Sequence, residues 1–84
     1  MKITFSKIVN DIANTAMTVA LSLPKNQEFE VPNLFNDNIW NYFRKSLGTN
    51  IGRKFNKLVH EQFPTHFNDL GKNTKTGNQR YEKL

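Results

Sequence analysis

Three prolines and a glycine divide this sequence into short segments and so restrict what it can fold into. They are Pro24, Pro32, Gly48 and Pro64. Because proline lacks a backbone donor and glycine destabilises helix interiors, we expect regular structure between these residues but not across them. At 84 residues the chain has room for one hydrophobic core. The sequence therefore predicts a single domain, residues 1–84, built from several short elements.

The first segment predicts an amphipathic helix, helix one, over residues 5–23. Its apolar residues have the spacing of one helical face, recurring at positions 5, 8, 9, 12, 13, 16, 17, 20 and 21. Thr4 or Ser6 is the expected N-cap, and Pro24 closes the segment. The broad apolar face favours a central place in the core. A homodimer contact through helix one is the alternative.

The middle of the chain predicts a strand followed by a helix. Residues 28–31 alternate polar and apolar side chains, as a half-buried strand does, and Pro32 ends the alternation. A brief helical turn is expected at 33–35. Asp37 is then predicted to cap a helix that Gly48 terminates. The apolar side of that helix comprises Ile39, Trp40, Phe43 and Leu47.

Thr49 is predicted to cap a further helix that runs to about Phe63 and ends at Pro64. The apolar face of this helix comprises Ile51, Phe55, Leu58, Val59 and Phe63. Successive residues of an α-helix are rotated by about 100°, which places basic and amide side chains on the face opposite the apolar one. These are Arg53, Lys57 and His60, with Asn50 and Asn56 beside them and Lys54 on the flank. Gly52 costs ~1 kcal/mol relative to Ala inside a helix, which predicts close packing there against the preceding helix or a DNA backbone.

The last segment, residues 65–83, predicts a β-hairpin with a basic loop at 72–78. Phe67 and Leu70 precede the polar loop and Tyr81 follows it. A disordered tail is the alternative. The apolar anchors Leu70 and Tyr81 favour the hairpin.

Taken together, these elements predict an α+β fold, mainly helical, with the element order of a winged helix-turn-helix. An N-terminal helix and a short strand come first. The helix-turn-helix then spans 33–63, and the hairpin at 65–83 is the wing. In that fold the helix from Asn50 to Phe63 is the recognition helix, and the strand at 28–31 is the third strand of the small sheet.

A set of apolar and glycine positions is similar to a family of short Gram-positive bacterial and phage-borne proteins catalogued as a domain of unknown function. The resemblance covers residues 28–83 and implies a winged-helix-like domain, in which Gly52 and Arg53 are the most distinctive pair. The positions that carry it are Phe29-x-Val31-x-x-Leu34-Phe35, Trp40, Ile51-Gly52-Arg53-x-Phe55-x-x-x-Val59, Leu70-Gly71-Lys72 and Tyr81.

The positive charge of the chain is concentrated in its second half. Net charge is +5; residues 1–43 hold three Lys against four acids, whereas residues 44–84 hold nine Lys and Arg against three acids. This asymmetry is typical of a surface that binds phosphates, and a solvated basic surface without a partner is the alternative.

The sequence predicts a nucleic-acid-binding protein, with duplex DNA as the favoured partner. In this interpretation Arg53 reads guanine, and Asn50 or Asn56 reads adenine. The full set of predicted binding residues is Arg44, Lys45, Asn50, Arg53, Lys54, Asn56, Lys57, His60, Lys72, Lys75 and Arg80. A module that binds an acidic protein surface is the alternative function.

Several classes of function are not expected. The chain has no cysteine, which rules out disulfides, thiolate zinc sites and cysteine nucleophiles and suits a reducing cytoplasm. His60 and His66 lack carboxylate partners at ligand spacing, and no acid–base pair or phosphate-binding glycine motif occurs. We therefore expect no enzyme activity, metal or cofactor. No uncharged apolar stretch approaches the ~20 residues of a membrane span, so no membrane partner is expected.

Overall fold

The computed structural model of the chain describes residues 4–84 as three α-helices, a short 3₁₀-helix and a three-stranded antiparallel sheet, which confirms the α+β class. In chain order the elements are α1 (Phe5–Leu21), β1 (Glu28–Glu30), the 3₁₀-helix (Val31–Leu34), α2 (Asp37–Arg44), α3 (Gly48–Gln62), β2 (Phe67–Lys72) and β3 (Gln79–Lys83). The strand order is β1-β3-β2, so β3 is central. β1 is the third strand of the sheet, as predicted.

Helix α1 begins as the sequence predicts and ends slightly earlier. The Thr4 hydroxyl oxygen accepts a hydrogen bond from the Lys7 backbone N–H at 3.2 Å and so caps the helix. The predicted end at residue 23 is wrong, because the helix stops at Leu21 and Ser22 is the C-cap. The residue before a proline is disfavoured in helical conformation, which places Leu23 outside the helix.

Two boundaries around the 3₁₀-helix differ from the sequence prediction. The strand ends at Glu30, because Val31 and Pro32 already belong to the 3₁₀-helix. The N-cap of α2 is Asn36 and not Asp37: the Asn36 side-chain oxygen accepts from the backbone N–H of Ile39 at 2.9 Å. Asp37 occupies the first helical position instead, where its charge is favourable to the helix dipole.

The turn between α2 and α3 corrects the predicted roles of Gly48 and Thr49. Helix α2 ends at Arg44, and Gly48 is the first residue of α3. A Cβ atom on Gly48 would lie 3.6 Å from the Trp40 ring, an ordinary van der Waals contact, so the packing of the helices does not require glycine there. Thr49 lies inside α3, whose N-cap is Leu47 without a side-chain cap. Close packing of the preceding helix at Gly52 was the wrong prediction, since a Cβ there would meet no atom of the protein within 4 Å; approach of a DNA backbone stays a prediction.

The C-terminal hairpin is formed, with a bulge in β2 between Asp69 and Gly71. Gly71 has a φ of +88°, a conformation that glycine adopts without strain. Leu70 is not the anchor that the sequence suggested, because it is 41% exposed; Phe67, at 3% exposed, replaces it.

Four aromatic residues join the sheet to α3. They are Phe29 on β1, Phe55 on α3, Phe67 on β2 and Tyr81 on β3, and all are buried. The Tyr81 ring centroid lies 5.3 Å from that of Phe55 and 5.5 Å from that of Phe29. Small residues of α1, among them Ala13 and Ala16, are fully buried in the same core. The hydrophobic core thus has an aromatic half under the sheet and an aliphatic half under α1.

No helix within residues 4–84 is both long enough and apolar enough to cross a membrane.

Replacing Phe55 by alanine is expected to destabilise the domain by about 3–5 kcal/mol, because the lost ring leaves a cavity in the aromatic cluster. Tyr42→Ala is the matched control, since Tyr42 is 81% exposed and its loss is expected to change the free energy of unfolding by about 0.5 kcal/mol or less. Urea unfolding measures both. Equal unfolding midpoints for the two variants would show that the cluster does not hold the fold.

Candidate nucleic-acid interface

A cleft of about 820 Å³ opens between the hairpin and the start of α3, next to the end of α2. Hydrogen-bonding and charged side chains make up most of its lining, together with the rings of Trp40 and Tyr81. The polar and charged residues at the cleft are Arg44, Thr49, Arg53, Asn56, Asp69, Lys72, Thr76, Asn78 and Gln79. Its chemistry therefore suits a polar ligand.

Three exposed basic side chains meet at the cleft, each from a different element. Arg44 is the last residue of α2, Arg53 lies on α3, and Lys72 ends β2. Between residues 4 and 84, ion pairs join only Lys7 to Asp11, His60 to Asp69 and Arg80 to Glu28. None of the three cleft cations thus has a carboxylate within 4 Å among the described residues, which leaves their charges available to an anionic ligand.

The one carboxylate at the cleft, Asp69, is occupied by internal hydrogen bonds. Its oxygens accept from the His60 ring at 2.9 Å, from the Gly71 backbone N–H at 3.0 Å, and from the side chains of Asn56 and Gln79. Partial burial is the largest single influence and raises the pKa of Asp69, but the hydrogen bonds together outweigh it and the pKa lies below its usual value. Asp69 therefore stays ionised at neutral pH and organises the floor of the cleft.

Asn56 links this floor to the aromatic core. Its side-chain N–H donates to the hydroxyl oxygen of Tyr81 at 2.9 Å and to Asp69 at 3.2 Å. Burial raises the pKa of Tyr81 to about 12, with a smaller contribution from the negative charge of Asp69 and an opposing one from Asn56. Tyr81 is therefore uncharged, and Asn56 uses its donor groups inside the protein.

The hairpin loop, residues 73–78, is tied to β1 through Glu30. The carboxylate accepts from the Asn73 amide and the Thr76 hydroxyl at 2.8 Å each, and from the Asn78 amide at 3.1 Å. Partial burial raises the pKa of Glu30, but these three bonds, together with the positive charge of Arg80, outweigh it and the pKa is lowered. The loop that carries Lys75 is therefore anchored to the neighbouring strand.

Of the eleven residues that the sequence assigns to binding, the structure brings four together at the cleft: Arg44, Arg53, Asn56 and Lys72. Lys75 is exposed in the hairpin loop beside them. Lys45 is exposed at the C-cap of α2. The four cleft residues come from α2, α3 and β2, so the cleft joins the helix pair to the hairpin.

The remaining predicted residues lie outside the cleft. Lys54 and Lys57 are on α3, half-buried and exposed respectively, and Asn50 lies on the side of α3 that faces the start of α1. Arg80 forms an ion pair with Glu28 at 3.0 Å. His60 has a carboxylate partner after all, Asp69, which lies nine positions further along the chain on β2. Within the described residues no group of three His, Cys, Asp or Glu side chains is placed to hold a metal ion.

Sequence reasoning missed several residues that shape this surface. Trp40 reads as a core residue from its helical spacing, yet it also lines the cleft. Asp69 and Glu30 bind partners up to 48 positions away, which no local pattern reveals. The concentration of Asn and Thr at 73–78 is the one available signal, since such side chains need acceptors; it does not identify Glu30 as the acceptor.

The chain belongs to the family described as Domain of unknown function (DUF1413), whose model matches residues 14–83. This confirms the family resemblance seen in the sequence and extends it, since the match includes the C-terminal part of α1, residues 14–21, as well as the segment from 28 onward. No curated protein and no solved structure matches the chain.

The lowered pKa values of Glu30 and Asp69 predict acid sensitivity. Each carboxylate stabilises the folded state fully above its unfolded pKa, near 4.5 for Glu30 and 3.8 for Asp69, and loses that contribution as the pH falls through the lower folded value. Urea unfolding at pH 7 and at pH 3 should show a smaller pH-dependent loss for Asp69→Asn than for the wild type. Identical losses would mean that the hydrogen bonds to Asp69 contribute nothing to stability.

Proposed function

We propose that the protein binds duplex DNA as a winged helix-turn-helix domain, with α3 as recognition helix and the β2–β3 hairpin as wing. The element order, with one helix and a strand before the helix pair and a hairpin after it, supports this assignment. So does the sheet order, in which β1 completes a three-stranded sheet with the hairpin. The turn between α2 and α3 comprises only three residues, 45–47, which suits a helix-turn-helix.

The observation that carries the proposal is the convergence of Arg44, Arg53 and Lys72 on one cleft. Basic side chains without carboxylate partners are ready to neutralise phosphates, and the release of counterions from DNA then favours binding. Since the three come from the helix pair and from the hairpin, one DNA strand passing the cleft would contact both parts of the domain.

Helix α3 has dimensions and side chains that suit the major groove. With its side chains an α-helix is ~10–12 Å across, which fits a groove ~12 Å wide, and the 15 residues of α3 give it a length of about 22 Å. Ile51, Phe55, Leu58 and Val59 face the core. Arg53 lies opposite this buried face, with Lys57 one turn further along, so both side chains are accessible to DNA.

A second copy of the chain is part of this proposal. Phe5 and Ile8 on α1 are 53% and 39% exposed, which supports a homodimer contact through helix one. Two copies would bind two half-sites and so raise both affinity and specificity. Sedimentation analysis of the free protein measures the stoichiometry.

In biological terms we propose a regulator or accessory factor of a bacterium or its phage, acting in the cytoplasm.

One observation favours a second candidate function, a module that binds an acidic protein. Ile39 and Tyr42 of α2 are 45% and 81% exposed and lie three positions apart, so they share one side of the helix. Tyrosine and arginine are enriched at the centres of protein interfaces, and Arg44 lies on the same helix. Capture of a partner that survives nuclease treatment would favour this candidate.

For DNA binding, Arg53→Ala is expected to cost ~1–3 kcal/mol on a preferred duplex and to reduce the preference over a scrambled one. Lys75→Ala should weaken binding to both duplexes alike and lower the salt slope by about 1, because it removes a backbone contact. Fluorescence anisotropy over a range of salt concentrations measures both effects.

Lys25→Ala is the matched control for these variants. It removes the same charge from an exposed residue in the turn before β1, where Asn26 donates to the carbonyl oxygen of Lys83 at the sheet end away from the hairpin loop. It should reduce affinity far less than Arg53→Ala. If all three substitutions gave equal small losses on both duplexes, the recognition-helix assignment would be wrong.

A further inference from the structure

We propose that Glu30 is a positioning residue for DNA binding: its carboxylate holds the hairpin loop in the shape that presents Lys75 to the DNA backbone. This inference rests on the proposed function, and it assigns a binding role to an acidic residue on a protein whose proposed ligand is also acidic.

Glu30 forms a capping box with Asn33 at the start of the 3₁₀-helix, and its side-chain to side-chain hydrogen bonds all go to the loop. Its two oxygens accept three side-chain hydrogen bonds from the loop, with Oε1 serving Thr76 and Asn78 and Oε2 serving Asn73. These partners lie 43 to 48 positions away, so the bonds close a long segment of chain. Hydrogen bonds to an ionised carboxylate are roughly twice as strong as those between neutral groups.

Asn73 connects Glu30 to Lys75. While its amide N–H donates to Glu30, its side-chain oxygen accepts from the Lys75 backbone N–H at 2.9 Å. The Asn73 backbone carbonyl also accepts from the Gly77 N–H at 2.7 Å, and its own N–H donates to the Asn78 carbonyl at 2.8 Å. The orientation of the Lys75 backbone therefore depends on a side chain that Glu30 holds in place.

An effect of the Glu30 charge alone and a positioning role of its carboxylate predict opposite changes in DNA affinity when Glu30 is removed. Loss of a negative charge near a DNA-binding surface should strengthen binding if charge is all that matters. If the carboxylate positions the loop, its loss should weaken binding, because a mobile loop loses conformational entropy when DNA fixes it.

The experiment compares Glu30→Ala and Glu30→Gln with Glu82→Ala as control. Glu82 lies on β3 and accepts a hydrogen bond from Asn68, so its loss removes the same charge from the sheet without touching the loop. Binding to a duplex is measured by anisotropy across salt concentrations. Hydrogen exchange of the loop amides at 75, 77 and 78 is measured on the free protein, which tests the hold on the loop without DNA.

We expect Glu30→Ala to accelerate exchange of the loop amides and to weaken DNA binding to about the extent of Lys75→Ala, with a salt slope lower by about 1. Glu30→Gln should have a smaller effect, because its amide oxygen can still accept two of the three bonds. In a Lys75→Ala background, Glu30→Ala should change affinity less than twofold, since the contact that it positions is already gone. A purely structural loss of folded protein would leave the salt slope unchanged.

Unchanged or tighter DNA binding by Glu30→Ala, with the wild type binding normally, would overturn this inference and leave the proposed function standing. Unaltered loop exchange in Glu30→Ala would also overturn it. A wild type that does not bind duplex DNA at low salt would overturn the proposed function and the inference with it, whatever the exchange data show.

Discussion

The packing of four aromatic rings between the sheet and α3 is the interaction on which the rest of the structure depends. Phe29, Phe67 and Tyr81 come from the three strands, and Phe55 comes from the helix. Tyr81 lies on the central strand β3, and its ring contacts those of Phe29 on β1 and Phe55 on α3, which fixes the sheet against the helix. Rings of this size bury enough apolar surface to compensate for a short chain in which only 37% of residues are hydrophobic.

Hydrogen bonds connect the candidate binding surface to that core. The Tyr81 hydroxyl receives the Asn56 amide, and Asn56 in turn donates to Asp69, so the cleft floor is continuous with the buried rings. Glu30 follows Phe29 on β1, and its hydrogen bonds connect the hairpin loop to the same strand. Acidic groups thus serve as internal acceptors, while the cations around the cleft keep their charges for a ligand.

Sequence periodicity predicted the elements well because a helix of 15 or 17 residues buries one face whatever its partners are. Prediction failed at helix boundaries and where contacts between elements decide the outcome. Gly48 looked like a helix end, but it is the first residue of α3. The basic cleft residues could be named, since charge is visible in sequence, whereas the partnership of His60 with Asp69 depends on how β2 lies against α3.

The most direct test of the central claim is a chemical-shift titration of the ¹⁵N-labelled protein with a short duplex at low salt. We expect the backbone amides of Gly52, Arg53, Lys72 and Gly77 to shift together, because they border one cleft. The amides of Glu28 and Glu82 lie at the end of the sheet away from the hairpin loop, and their chemical shifts should not change. Shifts confined to α2 around Tyr42, or no shifts at all, would contradict the account of this surface as a DNA-binding site.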